Sequence, residues 1–109
     1  MTYLIYGILK DGSFELLTSW SYSGFVLFAE ALREFGIEIH DAFPVYLATF
    51  IEEALPSILE RYDYYRRKQR EFAEKLSQII DKLEDEFDKA KAKTLIDFIN
   101  KGFVIGFFG

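Results

Sequence analysis

From Pro56 to Lys101 the chain reads as one nearly uninterrupted helical pattern, in which apolar residues return every three or four positions through a dense run of both charge signs. A single helix over that span would run roughly 65–70 Å at ~1.5 Å per residue. A compact domain of 109 residues has a radius of gyration of about 13 Å. Such a helix must break or find a partner. Pro56 suits the first turn of a new helix, where its missing N–H is no loss, so the expectation is a helix over about 57–100. On it Tyr62, Tyr65, Phe72, Leu76, Ile79 and Leu83 keep a 3–4 spacing with Gln69 as the polar exception. Phe87, Ala90, Thr94 and Phe98 continue after a shift of one residue. Strict heptads would put Glu86 where Phe87 is needed, so a regular coiled coil is not supported, whereas packing against another helix is.

The N-terminal half has a different grammar. Thr2 to Leu9 and Phe14 to Trp20 are apolar runs separated by Lys10-Asp11-Gly12-Ser13, and Asp-Gly between such runs predicts a hairpin over 2–20 with a two-residue turn. Lys10 then faces Ser13, and Leu9 with Phe14, Gly7 with Leu16, Ile5 with Thr18 and Tyr3 with Trp20 share the core side. Leu4, Tyr6, Ile8 and Leu17 on the other side imply that both faces meet protein. Ser21 and Ser23 offer N-caps to a helix over about 23–35, and Gly36 closes it. Asp41 offers an N-cap to a second helix over about 42–55, with Pro44 in its first turn. Gly102 ends the long pattern, and 103–108 reads as a strand that most simply joins the hairpin. The result is an α+β single domain, in which a hairpin and a C-terminal strand pack with three helices, the last long and amphipathic.

Half the residues are hydrophobic, so the chain can build a core. Without cysteine there are no disulfides, thiolate nucleophiles or Cys-based zinc sites. No apolar run of about 18 residues could span a bilayer, and the N-terminus lacks the pattern of a signal peptide. An intracellular protein is expected. The formal net charge of −5 argues against an unspecific grip on nucleic acid along the whole surface. The bases, however, concentrate after Leu59.

Arg61, Arg66, Arg67, Lys68 and Arg70, interleaved with Tyr62, Tyr64 and Tyr65, form the best candidate for a ligand, because cations pair with phosphates and tyrosines stack on bases. On that reading Arg61, Tyr65, Arg66, Arg67, Lys68 and Arg70 contact nucleic acid. The competing reading is a solvated helix face, since Asp63 and Arg67, Arg67 and Glu71, Glu71 and Lys75, and Asp85 and Lys89 all stand four apart. Tyr65, Phe72, Leu76, Ile79, Leu83 and Phe87 form an apolar stripe longer than one small domain is expected to cover, which predicts a homodimer through the long helix.

Elsewhere the chemistry is thin. His40 with Glu38 and Asp41 is the one place where an imidazole meets carboxylates, but a catalytic zinc site wants about three protein ligands, and an N-capping Asp beside a turn His explains the same residues. Glu84, Asp85, Glu86 and Asp88 scatter around a helix and read as charged surface. The segment Gly102 to Gly109 has the Gly and Phe content of a small membrane-inserting stretch, but a buried or partner-exchanged strand explains it better. Phosphate-loop, dinucleotide, Ser-His-Asp, helix-turn-helix and ribbon-helix-helix patterns are absent. No catalytic residue, cofactor or metal is expected.

Segments such as Thr2-Tyr3-Leu4-Ile5-Tyr6 and Tyr62-Asp63-Tyr64-Tyr65-Arg66-Arg67-Lys68, in a chain poor in His, Met, Asn and Gln, give it a resemblance to small proteins of viruses that infect hyperthermophilic archaea, the filamentous kind included. The resemblance covers the whole chain and is compositional, without a signature motif. It implies a thermostable, non-enzymatic, virus-encoded protein of the host cytoplasm, often dimeric, with no catalytic residues to carry over.

Overall fold

The turn of the hairpin shows how local chemistry sets the register. In the computed structural model, which describes residues 1–109, the Asp11 carboxylate accepts the Ser13 N–H at 2.9 Å and the Ser13 hydroxyl at 2.6 Å. Gly12 alone in the turn takes a positive φ, of 90°, whereas a two-residue type I′ turn needs two such residues. Asp11 is therefore used for its side chain, and the loop widens to Leu9–Ser13 between β1 (Thr2–Ile8) and β2 (Phe14–Ser21). Tyr3 faces Trp20 and Ile5 faces Thr18 as expected, but a bulge after Ile5 shifts the rest, so that Gly7 meets Glu15 and Ile8 meets Phe14. Leu9, Phe14 and Leu16 consequently leave the core side and are exposed.

Ser21 caps α1 (Tyr22–Arg33) by accepting the Gly24 N–H. The helix ends where Ile37 N–H reaches back to the Leu32 carbonyl around Gly36, whose φ is 75°. The expected helix over 42–55 is displaced. Ile39–Asp41 forms a 3₁₀ turn capped by Glu38, Val45–Tyr46 forms β3, and α2 spans Ile51–Glu60. Pro44 favours an extended residue before it, and its carbonyl accepts the Phe107 N–H. Pairing with the C-terminal strand thus draws this segment into the sheet before a helix can start. Pro56 lies inside α2 and is exposed; it starts no helix.

The long helical pattern is broken twice. α3 (Tyr62–Ile79) is separated from α2 by a single non-helical residue, Arg61. After a 3₁₀ turn at Ile80–Lys82 and an extended Leu83, Asp85 caps α4 (Glu86–Asn100) by accepting the Phe87 and Asp88 N–H groups. The slip at Glu86 and Phe87 is thus a helix start. α4 returns antiparallel along α3, since Arg66 near the start of α3 meets Ile99 near the end of α4. The Cα radius of gyration, 13.1 Å, is what folding the pattern back on itself allows and a straight helix would not.

β4 (Val104–Phe108) pairs antiparallel with β1 of the same chain and parallel with β3, giving the sheet order β2-β1-β4-β3. The fold is α+β, with a four-stranded sheet and four helices. α1, α3 and α4 cover one face, where Ile5, Phe28, Leu32, Leu76, Leu95 and Phe107 are central to the main core. α2 covers part of the other face over Ile8, Val104 and Phe108. All five residues of β4 are buried, so the Gly- and Phe-rich tail is an interior strand.

Candidate functional site

The basic, tyrosine-rich start of α3 divides into two rows. The inner row, Tyr62, Arg66 and Gln69, runs along the edge of the segment that leads into β4. The Tyr62 hydroxyl donates to the Gly102 carbonyl at 3.3 Å, and Arg66 donates to the carbonyls of Ile99 at 2.6 Å and Phe103 at 3.2 Å. Gln69 donates to Ile105 O at 2.9 Å and Ala42 O at 3.1 Å, while its own carbonyl accepts the Ile105 N–H at 2.8 Å. Gln69 takes the place of a strand beside Ile105, where β3 stops, and Tyr62 and Arg66 hold the segment that leads into β4. Burial raises the Tyr62 hydroxyl pKa and lowers that of the Arg66 guanidinium. Arg66 is therefore a structural clamp and is removed from the nucleic-acid set, a correction to its expected role.

The outer row is Arg61, Tyr64, Arg67 and Lys68, with Arg70 around the helix. The Arg61 guanidinium lies 4.3 Å from the centre of the Tyr64 ring and 5.3 Å from that of Tyr65; Arg67 and Lys68 flank Tyr64 at 5.6 and 5.9 Å. Tyr65 itself is half-buried against the α2 cluster. None of the four charge pairs expected at four-residue spacing closes to ion-pair distance: Asp63 reaches Lys10 at 3.3 Å, and Lys89 takes Glu86 at 3.4 Å. Arg61, Arg67, Lys68 and Arg70 have no carboxylate partner. A cleft of about 550 Å³ between α3 and α4 is lined by Arg66, Arg67 and Arg70 together with Asp63, Glu71 and Glu74.

The apolar stripe expected to join two chains lies mostly inside one. Phe72, Leu76 and Leu83 are buried in the main core, and Tyr65 and Ile79 are half-buried beside the two clusters. Only Phe87, 77% exposed, stands free. The stripe needs no second chain because α4 and the sheet cover it, and apolar spacing along one helix carries no sign of that cover.

The exposed apolar surface lies on the hairpin instead. On the face that α2 covers incompletely, Leu4, Phe14 and Leu16 are exposed around the half-buried Tyr6, and Leu16 is 54% exposed. Beside them a groove of about 520 Å³ is lined by Leu4, Tyr6, Phe50, Ile51 and Phe108, with Phe50 standing 74% exposed on its rim. β2 is an end strand of the sheet, and its outer edge has no partner. Sequence reasoning does not single out these residues as exposed apolar surface, although apolar residues on both sides of the hairpin are the signal for it.

Glu38 explains the His40 cluster. Its carboxylate accepts from Arg33 at 3.0 Å and sits 3.3 Å from His40 Nδ1, while the imidazole packs edge-on to Phe25. Asp41 caps no helix, contrary to expectation. No group of three or more His, Asp or Glu side chains is arranged to hold a metal ion. No helix is long and apolar enough to cross a membrane. No family model matches the chain, and neither a curated protein nor a solved structure matches it.

Proposed function

We propose that the protein is a non-enzymatic interaction protein that acts as a homo-oligomer, most simply a dimer, whose subunits meet through the uncovered face and free edge of the β1–β2 hairpin. The observation that carries this reading is the exposed apolar group Leu4, Phe14 and Leu16 on the strand pair that ends the sheet. An unpaired strand edge is a template for another strand, and proteins that stay monomeric blunt it with Lys, Pro or several charges. β2 has one bulge and a single charge, Glu15. An antiparallel strand pairs readily with its own copy about a two-fold axis, so the surface suits a second copy of this chain. The compositional resemblance to small virus-encoded proteins of hyperthermophilic archaea supports a structural role over an enzymatic one.

Light scattering coupled to gel filtration tests the proposal. The expected mass is a multiple of the chain mass, and Leu16→Glu should return it to one chain while leaving the circular dichroism spectrum unchanged. A wild-type monomer at micromolar concentration overturns the reading. Leu76→Glu is the wrong variant here, because Leu76 is fully buried and its ionised replacement would unfold the subunit.

A further inference from the structure

We infer that the outer row of α3 binds single-stranded nucleic acid, with Arg67, Lys68 and Arg70 on the phosphates and the Arg61–Tyr64 stack receiving a base. Residues 61–70 hold five bases and one acid, in a chain whose formal net charge is −5. Inside the protein these cations do different things. Arg66 is spent on backbone carbonyls. The acid of the segment, Asp63, is engaged by Lys10 from the hairpin loop. Arg61, Arg67, Lys68 and Arg70 are left with no carboxylate, although Glu71 stands four residues after Arg67. Cations that the fold gathers at the start of one helix and leaves without a carboxylate at ion-pair distance are complementary to a polyanion.

The aromatic content selects among polyanions. Tyr64 is only half-buried, and three cations converge on its ring within 6 Å. Aromatic rings beside Arg planes are what unstacked bases pack on, and such stacking is independent of base identity. A duplex keeps its bases stacked on one another and offers this surface only phosphates. An acidic peptide offers charge but no π-face. The arrangement therefore favours a single strand, with little dependence on sequence.

The probe is a fluorescein-labelled mixed-sequence DNA single strand, followed by anisotropy with the full chain. Neutralising three phosphates gives a log–log salt slope of about −2.1, so affinity should fall roughly 20-fold between about 50 and 200 mM salt. Arg67→Glu with Lys68→Glu should weaken binding tenfold or more and flatten the slope to about a third. Tyr64→Ala should weaken it about 5- to 150-fold with the slope unchanged, and Tyr64→Phe should restore it. Melting curves matching the wild type would show that these changes leave the fold intact. The inference is overturned if no binding is seen at low salt, or if the charge reversal changes nothing. It is equally overturned if the duplex of the same sequence or polyglutamate competes as well as the single strand does.

Discussion

Gln69 is the one polar side chain among the buried residues, and its position follows from the shortness of β3. Phe107 and Gly109 donate their N–H groups to Pro44 and Tyr46, but Ile105, two residues earlier on the same edge, lies beyond the reach of β3. The Gln69 amide supplies both the donor and the acceptor that a strand would have supplied. Gln69→Leu keeps the volume and removes three hydrogen bonds, leaving one N–H and two carbonyls unsatisfied in the interior. At about 1–3 kcal/mol for each unsatisfied group, with some relaxation, the expected loss is about 3 kcal/mol in urea denaturation. A midpoint equal to the wild type would show that the amide carries none of this. In the sequence Gln69 is legible only as an interruption of the apolar seam, because its partners lie 27 and 36 residues away. Glu38 carries a second prediction at this scale. The hydrogen bond from Arg33, aided by His40, holds its carboxyl below the ordinary value of 4.5. The folded state thus favours the charged form, so this contribution is present above pH 4.5 and is lost as pH falls through the folded value. Glu38→Gln should lower stability slightly at neutral pH and make the acid limb below pH 4.5 less steep, as read from urea midpoints across that range.

At the level of elements, the sequence reveals what local chemistry decides. Ser21 and Gly36 bracket α1 as their side-chain and backbone preferences predict. The hairpin is legible to the level of its first two pairs, and fails beyond Ile5 because a bulge leaves no clear mark in the alternation of residues. The segment 42–50 misleads because Val45, Leu47 and Phe50 mimic a helical period. The state of Val45 and Tyr46 is set by pairing with β4, about sixty residues away in sequence. The break before α4 is half-legible: the seam slip is visible, but its meaning as a helix start lies in the Asp85 cap. The α1 terminus offers the cleanest test. Gly36 holds φ at 75°, and a Cβ added there would meet nothing within 4 Å, so Gly36→Ala introduces backbone strain without a clash. The expected effect is a loss of about 1 kcal/mol in thermal or urea unfolding, whereas an unchanged midpoint would mean that the turn relaxes to a right-handed conformation.

The molecule as a whole is a sheet with unequal cover. Twenty buried residues on one face join α1, α3 and α4 to β1, β2 and β4, whereas seven on the other tie α2 to Ile8, Val104 and Phe108. The uneven cover also leaves Leu4, Phe14 and Leu16 open to solvent, so the candidate interface and the thin layer are consequences of one arrangement. In the sequence the first shows only as apolar residues on both sides of the hairpin and the second not at all, because the apolar stripe of the long pattern draws attention to a surface that the folded chain buries for itself. Opening free energies in a native protein follow the apolar contact that each unit must break. α2 carries only Ile51, Ala54 and Ile58 as buried contacts, and the non-helical Arg61 separates it from α3, so it can detach without melting the helical hairpin. Native-state hydrogen exchange should therefore find the amides of α2 exchanging through a sub-global opening, at least about 1 kcal/mol below the level of the central amides of α3 and α4. Ile58→Ala should lower α2 protection by about 2–4 kcal/mol and lower the globally exchanging amides of α3 and α4 by the same amount, so the gap persists, because Ile58 is exposed in both the sub-global and the global opening. If α2 instead exchanges at the same free energy as the other helices, before and after the substitution, the two faces unfold as one unit. The thin layer would then be as cooperative as the thick one.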